Sequence, residues 1–343
     1  MEVTGTILRG PEFDPVEGRV VVEDGEIVAI EETTTDPGPD IVLPAFVNAH
    51  THVGDSIAKG AGRGLTLDEL VAPPDGLKHR LLRDADRSET VAAMRRSLQH
   101  MRRGGTATFL DFREGGVDGV EALREAAEDV DIDPVIFGRG EESVLEVADG
   151  YGASGARDEE FAGVRNAARK ADVPFGIHAG ERDGADVNPA LDLEPDHLVH
   201  MVHATDLHLD RIGDSGIPVV ACPRSNLVTG VGLPPLRDLV DHTTVALGTD
   251  NVMLNGPSMF REMEFAAKCC DVTDLEVLRM ATTNAARVAG LEGGTIETGE
   301  PARVLVLDGE TDNLTGYRDP VRAVVRRAGI SDVSRLVTPA ETA

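Results

Sequence analysis

Short apolar runs recur through the central part of the chain and are separated by segments long enough to form helices. The runs are continuous rather than alternating with polar residues, which is typical of parallel strands that are covered on both faces. Eight of them lie between residues 44 and 292, a span close to the ~250 residues of a (β/α)8 TIM barrel. We therefore predict an α/β barrel with strands at 45–48, 107–110, 134–137, 147–150, 175–177, 197–199, 219–221 and 245–247.

The segment from Asp86 to Arg103 predicts a helix between the first two strands. Asp86 and Glu89 resemble a capping box, and Gly104 with Gly105 provides a stop at the other end. Apolar residues at helical spacing predict the face that packs on the barrel, namely Val91, Met94, Leu98 and Met101.

Both ends of the chain carry short β-branched runs that are too small to form a core alone. Residues 18–30 predict a hairpin, and further short strands are predicted at 295–296, 303–307 and 321–325. The simplest arrangement places all of these strands in one small domain. We therefore predict a composite β-sandwich domain of residues 1–43 and 293–343 beside a barrel domain of residues 44–292.

The charge of the chain excludes one broad class of function. Lysine and arginine number 33 against 61 aspartates and glutamates, a net charge of −28, whereas a nucleic-acid-binding protein carries a basic surface. Only four of the basic residues are lysine, and an acidic, lysine-poor surface is typical of a high-salt cytoplasm, where salt screens the repulsion. There is no apolar stretch of about 20 residues and no apolar leader, so we predict a cytoplasmic protein without a membrane partner.

Polar residues that follow the apolar runs are the candidates for chemistry, because barrel active sites lie at the C-terminal ends of the strands. The first strand ends in His50-Thr51-His52, and the alternation of strand side chains directs both histidines to the same side. The fifth run is followed by His178 and the eighth by Asp250. Three imidazoles and one carboxylate are a suitable ligand set for one Zn²⁺ or Fe²⁺ ion.

Two further groups near these ends suit proton transfer. Glu181 lies three residues after His178, across a glycine turn, and is predicted to be a general acid and base. The sixth run supplies His197, His200 and His203, of which only some can face the site. We take His200 as the catalytic histidine and keep His203 as the alternative, with His197 packed in the strand.

Four stretches together resemble the amidohydrolase superfamily, in its cytosine/guanine/S-adenosylhomocysteine deaminase and chlorohydrolase branch. They are 43–52 (LPAFVNAHTH), 178–181 (HAGE), 222–226 (CPRSN) and 246–251 (ALGTDN). The resemblance implies a composite β-sandwich at the termini and a catalytic histidine about 23 residues before Pro223, which favours His200. Relatives with two metals bridge them with a lysine on the fourth strand, and this chain has no lysine there, so one metal ion is expected.

The resemblance and the residue types imply hydrolytic deamination of an aminated N-heterocycle such as a nucleobase, nucleoside or pterin. Asp250 would accept a proton from the attacking water, Glu181 would deliver one to the ring, and His200 would stabilise the adduct. Ring opening of a cyclic amide or imide, as in imidazolone-type hydrolases, uses the same attack and stays open. Dehalogenation is a further alternative, and a non-catalytic assembly protein is a remote one.

A basic segment interrupts the acidic chain between residues 56 and 83, where five basic residues stand against three acidic ones. Together with residues after the third and seventh strands it predicts a rim that binds an anionic group of the substrate. Internal salt bridges with the abundant acids are the competing interpretation. The candidate substrate-binding residues are Lys78, Arg139, Arg224 and Asn226. Analogy with the family also suggests a homo-oligomer.

Overall fold

The computed structural model describes residues 1–33, 35–72 and 74–342. The strands are β1 (Glu2–Arg9), β2 (Asp14–Glu23), β3 (Glu26–Glu32), β4 (Ile41–Pro44), β5 (Phe46–His52), β6 (Thr106–Arg113), β7 (Asp133–Gly138), β8 (Gly150–Ala153), β9 (Phe175–Ala179), β10 (His197–His200), β11 (Val219–Ala221), β12 (Val245–Leu247), β13 (Asp250–Asn251), β14 (Val304–Leu307) and β15 (Val333–Val337).

The α-helices are α1 (Leu67–Val71), α2 (Leu77–Asp84), α3 (Arg87–Arg103), α4 (Gly116–Ala127), α5 (Ala162–Ala171), α6 (Val187–Asp192), α7 (Asp206–Ser215), α8 (Pro223–Thr229), α9 (Leu236–His242), α10 (Met259–Cys269), α11 (Asp274–Ala281), α12 (Thr283–Val288), α13 (Pro320–Arg326) and α14 (Pro339–Thr342). Short 3-10 helices span Val53–Ala58, Glu142–Glu146, Gly184–Asp186 and Ile330–Asp332. No helix of the described ranges combines the length and the apolar character needed to cross a bilayer.

Nine parallel strands form the central sheet, in the order β12-β11-β10-β9-β8-β7-β6-β5-β13. The two strands at its ends, β12 and β13, are separated in the chain only by Gly248 and Thr249. They are two pieces of one strand, because β12 pairs with β11 whereas β13 pairs with β5. The crossing is tight: a Cβ atom on Gly248 would lie 2.7 Å from the Cβ of His50. The sheet therefore curls on itself in a TIM-barrel-like α/β domain.

Seven of the eight predicted runs coincide with strands of this sheet, and the fourth overlaps its strand at Gly150 alone. Its strand is β8, three residues later than the predicted 147–150. A Cβ atom on Gly150 would lie 2.7 Å from the ring of Phe137, and one on Gly152 would lie 2.6 Å from Phe112. Glycine is therefore needed where this strand crosses the two rings. A search for apolar runs misses a strand that is built from small residues.

Helix α3 packs as its apolar spacing predicts, with one difference at its start. Asp86 occupies the N-cap position, but its side chain makes no capping hydrogen bond there, so the expected capping box is absent from this helix. Gly104 ends the helix, and Gly105 takes the left-handed conformation with φ of 81°. Burying one large apolar side chain contributes roughly 1.5–3 kcal/mol, and four are buried on the inner face of α3: Val91, Met94, Leu98 and Met101.

Strands from both ends of the chain form a second sheet, in the order β15-β14-β4-β1-β2-β3. The predicted hairpin is β2–β3, and its two-residue turn has positive φ at Asp24 and Gly25, as a type I′ turn requires. The composite β module is therefore seen as one six-stranded sheet that combines both termini. The proposed division at residues 43 and 293 stays a prediction.

Two strands predicted near the C-terminus are wrong. Residues 321–325 lie in helix α13, because Pro320 occupies the first turn and the Asp319 side chain accepts a hydrogen bond from the Arg322 backbone N–H. The helix buries Val324 and Val325 on the side that contacts α10 and α11. Residues 295–296 lie outside any strand, and the Thr295 side chain bonds to Glu300 instead.

The junction between the two sheets is short. Strand β4 ends at Pro44 within the terminal sheet, and β5 begins at Phe46 within the central sheet. Ala45 is the one residue between them, and its N–H donates to the Arg303 carbonyl at 2.9 Å. The strand that carries His50 and His52 is therefore anchored directly on the terminal sheet.

Candidate active site

Four histidines from three strands meet at the C-terminal end of the central sheet. Strand β5 supplies His50 and His52, β9 supplies His178 and β10 supplies His200. The ring centroids of His50 and His178 lie 5.0 Å apart, and those of His178 and His200 lie 5.3 Å apart. This arrangement is consistent with the prediction that these strand ends lie close together.

Backbone carbonyls fix the protonation of two of these rings. His52 Nδ1 lies 3.0 Å from the Phe112 carbonyl, and His178 Nδ1 lies 2.8 Å from the Ala153 carbonyl. Each Nδ1 must carry the proton to make these contacts, so the neutral rings have lone pairs on Nε2. Those two Nε2 atoms face each other at 3.3 Å. Two facing lone pairs repel unless a cation lies between them.

Asp250 completes the same cluster from β13. Its Oδ1 lies 3.4 Å from His50 Nε2 and 3.6 Å from His52 Nε2. The other carboxylate oxygen accepts a hydrogen bond from Ser225 Oγ at 2.5 Å. Although burial opposes ionisation, the close contact with the His50 ring and the other nearby imidazoles hold the pKa of Asp250 well below its usual range. The backbone at Asp250 has φ of 55°, a strained conformation for a residue other than glycine.

The donor set fits a divalent cation. Ligand atoms of His50, His52 and Asp250 lie within 4.8 Å of one another, as do those of His50, His178 and His200. Neither ring nitrogen of His50 has a hydrogen-bond partner within the described residues. Burial lowers the pKa of His50 and of His52 to about 4, so both rings are neutral and able to coordinate at pH 7.

Glu181 and His200 form a second pair beside this cluster. Glu181 Oε2 lies 3.6 Å from His200 Nε2, and burial raises the pKa of Glu181. The Asn226 amide nitrogen lies 3.0 Å from His200 Nδ1 and donates to it. That contact leaves the ring proton of His200 on Nε2, the nitrogen that faces Glu181. Asn226 thus orients His200.

The cluster opens into a cavity of about 100 Å³. Its described lining includes two of the four predicted substrate-binding residues, Lys78 and Arg139, and excludes Arg224 and Asn226. Arg224 is instead held by Glu262, a fully buried carboxylate 3.3 Å away, and by the carbonyls of Ser258 and Gly256. The competing interpretation of the basic residues was that they form internal salt bridges. That interpretation applies to Arg224.

Glu114 contacts several basic side chains on one wall of the cavity. The sequence analysis did not single out this residue. Its Oε1 lies 2.6 Å from Lys78 Nζ, 3.1 Å from Arg139 Nη1 and 3.2 Å from His52 Nδ1. Burial opposes ionisation of Glu114, but Lys78 and His52 hold its pKa well below the usual range. A signal was available, since Glu114 directly follows strand β6, where the other site residues follow theirs.

A match to a protein-family model identifies the chain's family. Residues 41–333 match the model described as the amidohydrolase family. The match covers most of the chain and includes every residue of the cluster described above. The chain belongs to the amidohydrolase family.

Amidohydrolase relatives resemble the chain over nearly its whole length. A putative aminohydrolase from Methanothermobacter thermautotrophicus is 36% identical, with 97% of this chain and 96% of the relative covered. A 5-methylthioadenosine/S-adenosylhomocysteine deaminase from Halobacterium salinarum is 29% identical, with 99% and 91% covered. The zinc complex of atrazine chlorohydrolase TrzN from Arthrobacter aurescens has the same fold, with a TM-score of 0.83, 20% identity and 98% and 94% covered.

The remaining histidines of the sixth strand lie away from this amidohydrolase cluster. His197 packs between two rings, with centroid distances of 5.1 Å to Phe137 and 5.7 Å to Phe112. His203 is absent from the described cavity lining, and its backbone N–H donates to the Gly180 carbonyl. Positive φ at His200 and Met201 ends the strand and turns the chain away before His203.

Two further buried carboxylates shape the segment after β5. Asp111 accepts hydrogen bonds from the Val53 N–H at 2.6 Å and from Thr51 Oγ1 at 2.9 Å. Asp55 accepts from the Met253 N–H at 3.0 Å and thereby ties this segment to the residues that follow Asp250. Burial raises the pKa of both carboxyls. Their roles depend on tertiary contacts, so the sequence pattern did not reveal them.

Proposed function

We propose that the chain is a metal-dependent hydrolase that removes an amino group from an N-heterocycle. One observation carries the proposal: inward-facing nitrogens of His52 and His178 stand beside an ionised Asp250 and next to the Glu181–His200 pair. The first group suits a divalent cation and the second suits proton transfer to a substrate. An acid and base pair beside a cation site is what hydrolytic attack on a ring carbon requires.

The proposed ligands are His50, His52, His178 and Asp250, and they would hold one zinc or iron ion. When bound, the ion supplies a nucleophilic water at neutral pH. The absence of lysine from β8 supports a single ion, since the strand reads Gly-Tyr-Gly-Ala. The zinc complex of TrzN, which shares the fold, supports zinc as one of these two candidates.

Proton movements in the proposed reaction follow from the side-chain positions. Glu181, whose pKa burial raises, carries a proton to the ring nitrogen that becomes negative during attack. His200 donates from Nε2 to the developing oxyanion, with its tautomer fixed by Asn226. Asp250 accepts the proton of the attacking water and passes it to the leaving amine.

The basic wall of the cavity supports an anionic group on the substrate. Three cations, Lys78, Arg139 and Arg113, share one carboxylate, Glu114, with Arg113 at 3.8 Å. Lys78 and Arg139 also line the cavity, so their charged groups can reach a bound substrate. We propose that Lys78 and Arg139 attract a carboxylate or phosphate of the substrate.

Two neighbouring reactions use the same machinery. Opening of a cyclic amide or imide needs the same attack but releases no ammonia. Dehalogenation is the reaction in the printed name of TrzN, whose similarity to this chain extends to the fold. Deamination is preferred because a relative with deaminase in its name is 29% identical over 99% of this chain.

Two accompanying proposals concern the setting of the protein. The net charge of −28 with four lysines favours a high-salt cytoplasm. Family analogy favours a homo-oligomer. Both are open to direct measurement, by stability against KCl concentration and by light scattering.

An ammonia-release assay tests the reaction. Zinc- and iron-loaded protein in molar KCl would receive cytosine, guanine, adenosine-type and pterin-type compounds, each neutral and, where available, phosphorylated or carboxylated. We expect release from one member, a fall of about 10²–10⁴-fold in Glu181→Gln, and unchanged metal content. Glu146→Gln, at an exposed residue outside the described ion pairs, is the matched control.

The possible results separate the candidate reactions. Faster turnover of the anionic compounds would support the basic wall, and equal turnover of neutral compounds would reject it. Metal-loaded protein that releases no ammonia but opens a cyclic amide would replace deamination with ring opening. Protein that cannot be loaded with metal would contradict the whole proposal.

A further inference from the structure

A second charged region lies outside the cavity, in a groove between helix α3 and residues 252–257. Its lining includes Lys59, at the end of the segment after β5, and Arg96, His100 and Arg103 of α3. The groove has a volume of about 410 Å³, and its lining shares no residue with that of the catalytic cavity. It is therefore a separate concave region of the surface.

The cations of this groove are without acidic partners in the described part of the chain. Lys59, Arg96 and Arg103 form no ion pair there, although the chain has 61 acidic residues against 33 basic ones. The one side-chain hydrogen bond of Arg103 goes to the Gln99 carbonyl of its own helix. In a chain so rich in carboxylates, an unneutralised basic groove is unexpected.

The basic groups also oppose one another's charge. Burial and then the positive charges of Arg103, Arg261 and Lys59 lower the pKa of His100. Burial and then Arg96 lower the pKa of Lys59, while Asp55 acts in the opposite direction. Asp55 is itself buried and bonded to the Met253 N–H. An anion in the groove would relieve this repulsion.

One neutral donor adds to the cations. Asn255 also lines the groove, and its amide nitrogen is buried with no acceptor among the described residues. A buried donor without an acceptor destabilises the protein, so an oxygen of a ligand would stabilise it. Phosphate offers several acceptor oxygens and a multiple negative charge, which suits guanidinium, ammonium and amide donors together.

We propose that this groove binds a phosphate-bearing small molecule at a site distinct from the catalytic cavity. The concave shape favours a small ligand over the flat surface of a protein. The site is also connected to the catalytic loops, because the Gly60 N–H donates to the Met253 carbonyl at 2.9 Å, three residues after Asp250. Occupancy of the groove would therefore brace the segment that follows Asp250.

Calorimetric titration of the metal-loaded protein tests the site. The probes are inorganic phosphate, pyrophosphate and ribose 5-phosphate, at the lowest KCl concentration that preserves the native circular dichroism spectrum. We expect one site per chain, with affinity that falls as KCl is raised. The double variant Arg96→Gln/Arg103→Gln should weaken binding by about tenfold or more, which corresponds to about 1.4 kcal/mol.

A matched double variant controls for net charge. Lys170→Gln/Arg318→Gln removes two exposed cations that also lack described ion pairs, and it should bind the probes as the wild type does. Tighter binding of ribose 5-phosphate than of inorganic phosphate would identify a phosphorylated metabolite class, and the reverse would identify the free ion.

Three results would overturn the proposal. The first is no saturable binding of any probe, and the second is equal loss in both double variants. The third is a wild-type dimer, seen by light scattering, that dissociates in Arg96→Gln/Arg103→Gln while no probe binds. That last result would show that the groove is covered by a second copy of the chain.

Discussion

The histidine cluster and the basic groove both hold like groups close together, but they differ in how the groups are fixed. In the cluster, two imidazole lone pairs face each other at 3.3 Å, and backbone carbonyls hold both rings. In the groove, exposed cations extend from one helix and one loop without acidic partners in the described chain. The cluster is preorganised for a cation, whereas the groove is adjustable and suits an anion.

This difference between the two sites predicts which substitutions should strongly reduce ligand affinity. A preorganised site loses most of its affinity when one ligand or one supporting contact changes, because the other groups cannot move to compensate. An adjustable site of exposed long side chains loses affinity in small steps. The predictions below test this contrast, beginning with the largest expected effect.

Asp250→Asn is expected to have the largest effect. The substitution removes the one anionic ligand of the cluster while it keeps the shape and an acceptor for Ser225. Both the metal content, measured by mass spectrometry, and kcat/KM should fall, the latter on the order of 10³-fold or more, or about 4 kcal/mol.

Asp210→Asn is the matched control for Asp250→Asn, because Asp210 is exposed on α7 and outside the described ion pairs. It should leave metal content and activity unchanged. Full metal occupancy with normal activity in Asp250→Asn would contradict the ligand assignment and remove the contrast with the groove.

Lys78→Met tests whether fixed contacts extend to the wall of the cavity. The Lys78–Glu114 pair is buried, with side-chain exposures of 3% and 12%, so the variant removes the nearest cation from a buried carboxylate and leaves it with the longer contacts of Arg139 and Arg113. Urea denaturation should show a loss of about 3 kcal/mol in the free energy of unfolding. Lys78→Met/Glu114→Gln should lose less than Lys78→Met alone.

Arg83→Met provides the comparison, since the Arg83–Asp75 pair is exposed at 55% and 81%. Its loss should stay within about 1 kcal/mol. Similar losses in Lys78→Met and Arg83→Met would mean that the cavity wall is as adjustable as the groove.

Asn226→Ala is expected to lower kcat by about 10–100-fold without loss of metal. The variant removes the donor that holds the His200 proton on Nε2. Asn226→Ser retains a donor and should recover part of the activity, and the pH profile of kcat should shift in the alanine variant. Loss of metal in Asn226→Ala would instead indicate a structural role.

The last expected effect, at most about 1.4 kcal/mol per pH unit, is in the pH dependence of stability. Burial lowers the pKa of His197 to about 4, so the native state binds fewer protons than the unfolded state. The contribution of neutral His197 to the free energy of unfolding is complete above pH 6.5. It is lost as the pH falls towards 4, at up to about 1.4 kcal/mol per pH unit.

Comparison with His197→Leu isolates that contribution. Burial raises the pKa of Glu262 to about 7, and this group makes the free energy of unfolding change with pH in the opposite direction in part of this range. The useful quantity is therefore the difference in the free energy of unfolding between the wild type and His197→Leu. Urea titrations of metal-depleted protein at pH 4.5, 5.5 and 6.5 measure it. An unchanged slope in His197→Leu would mean that His197 does not titrate in this window.

Local patterns predicted the parts of the fold that depend on local chemistry. Apolar runs located seven central strands, and polar residues after those runs included His50, His52, His178 and Asp250. Strand β8 was misplaced in the prediction because glycine is required beside Phe137, so the strand lacks an apolar run. The segment 321–325 was misassigned because its β-branched residues outweighed the capping signal of Asp319 and Pro320.

Contacts that join distant elements were not predictable in the same way. Glu114 lies 36 residues from Lys78 in sequence, and Asp55 bonds to the backbone of Met253, which is 198 residues away in sequence. Nothing in the local sequence of either carboxylate specifies these partners. The basic residues of α3 were likewise inconspicuous until the fold placed them in one groove with Asn255.

The pairing of β4 with β14 has a consequence for how the chain folds during synthesis. Strand β4 begins at Ile41, but its antiparallel partner begins at Val304 and is made about 260 residues later. At about 5–20 residues per second, the ribosome needs roughly 13–50 s to reach it. Throughout that interval one edge of the nascent β4 lacks its partner and can pair with other chains. The rate of translation therefore sets how long this edge is open to aggregation.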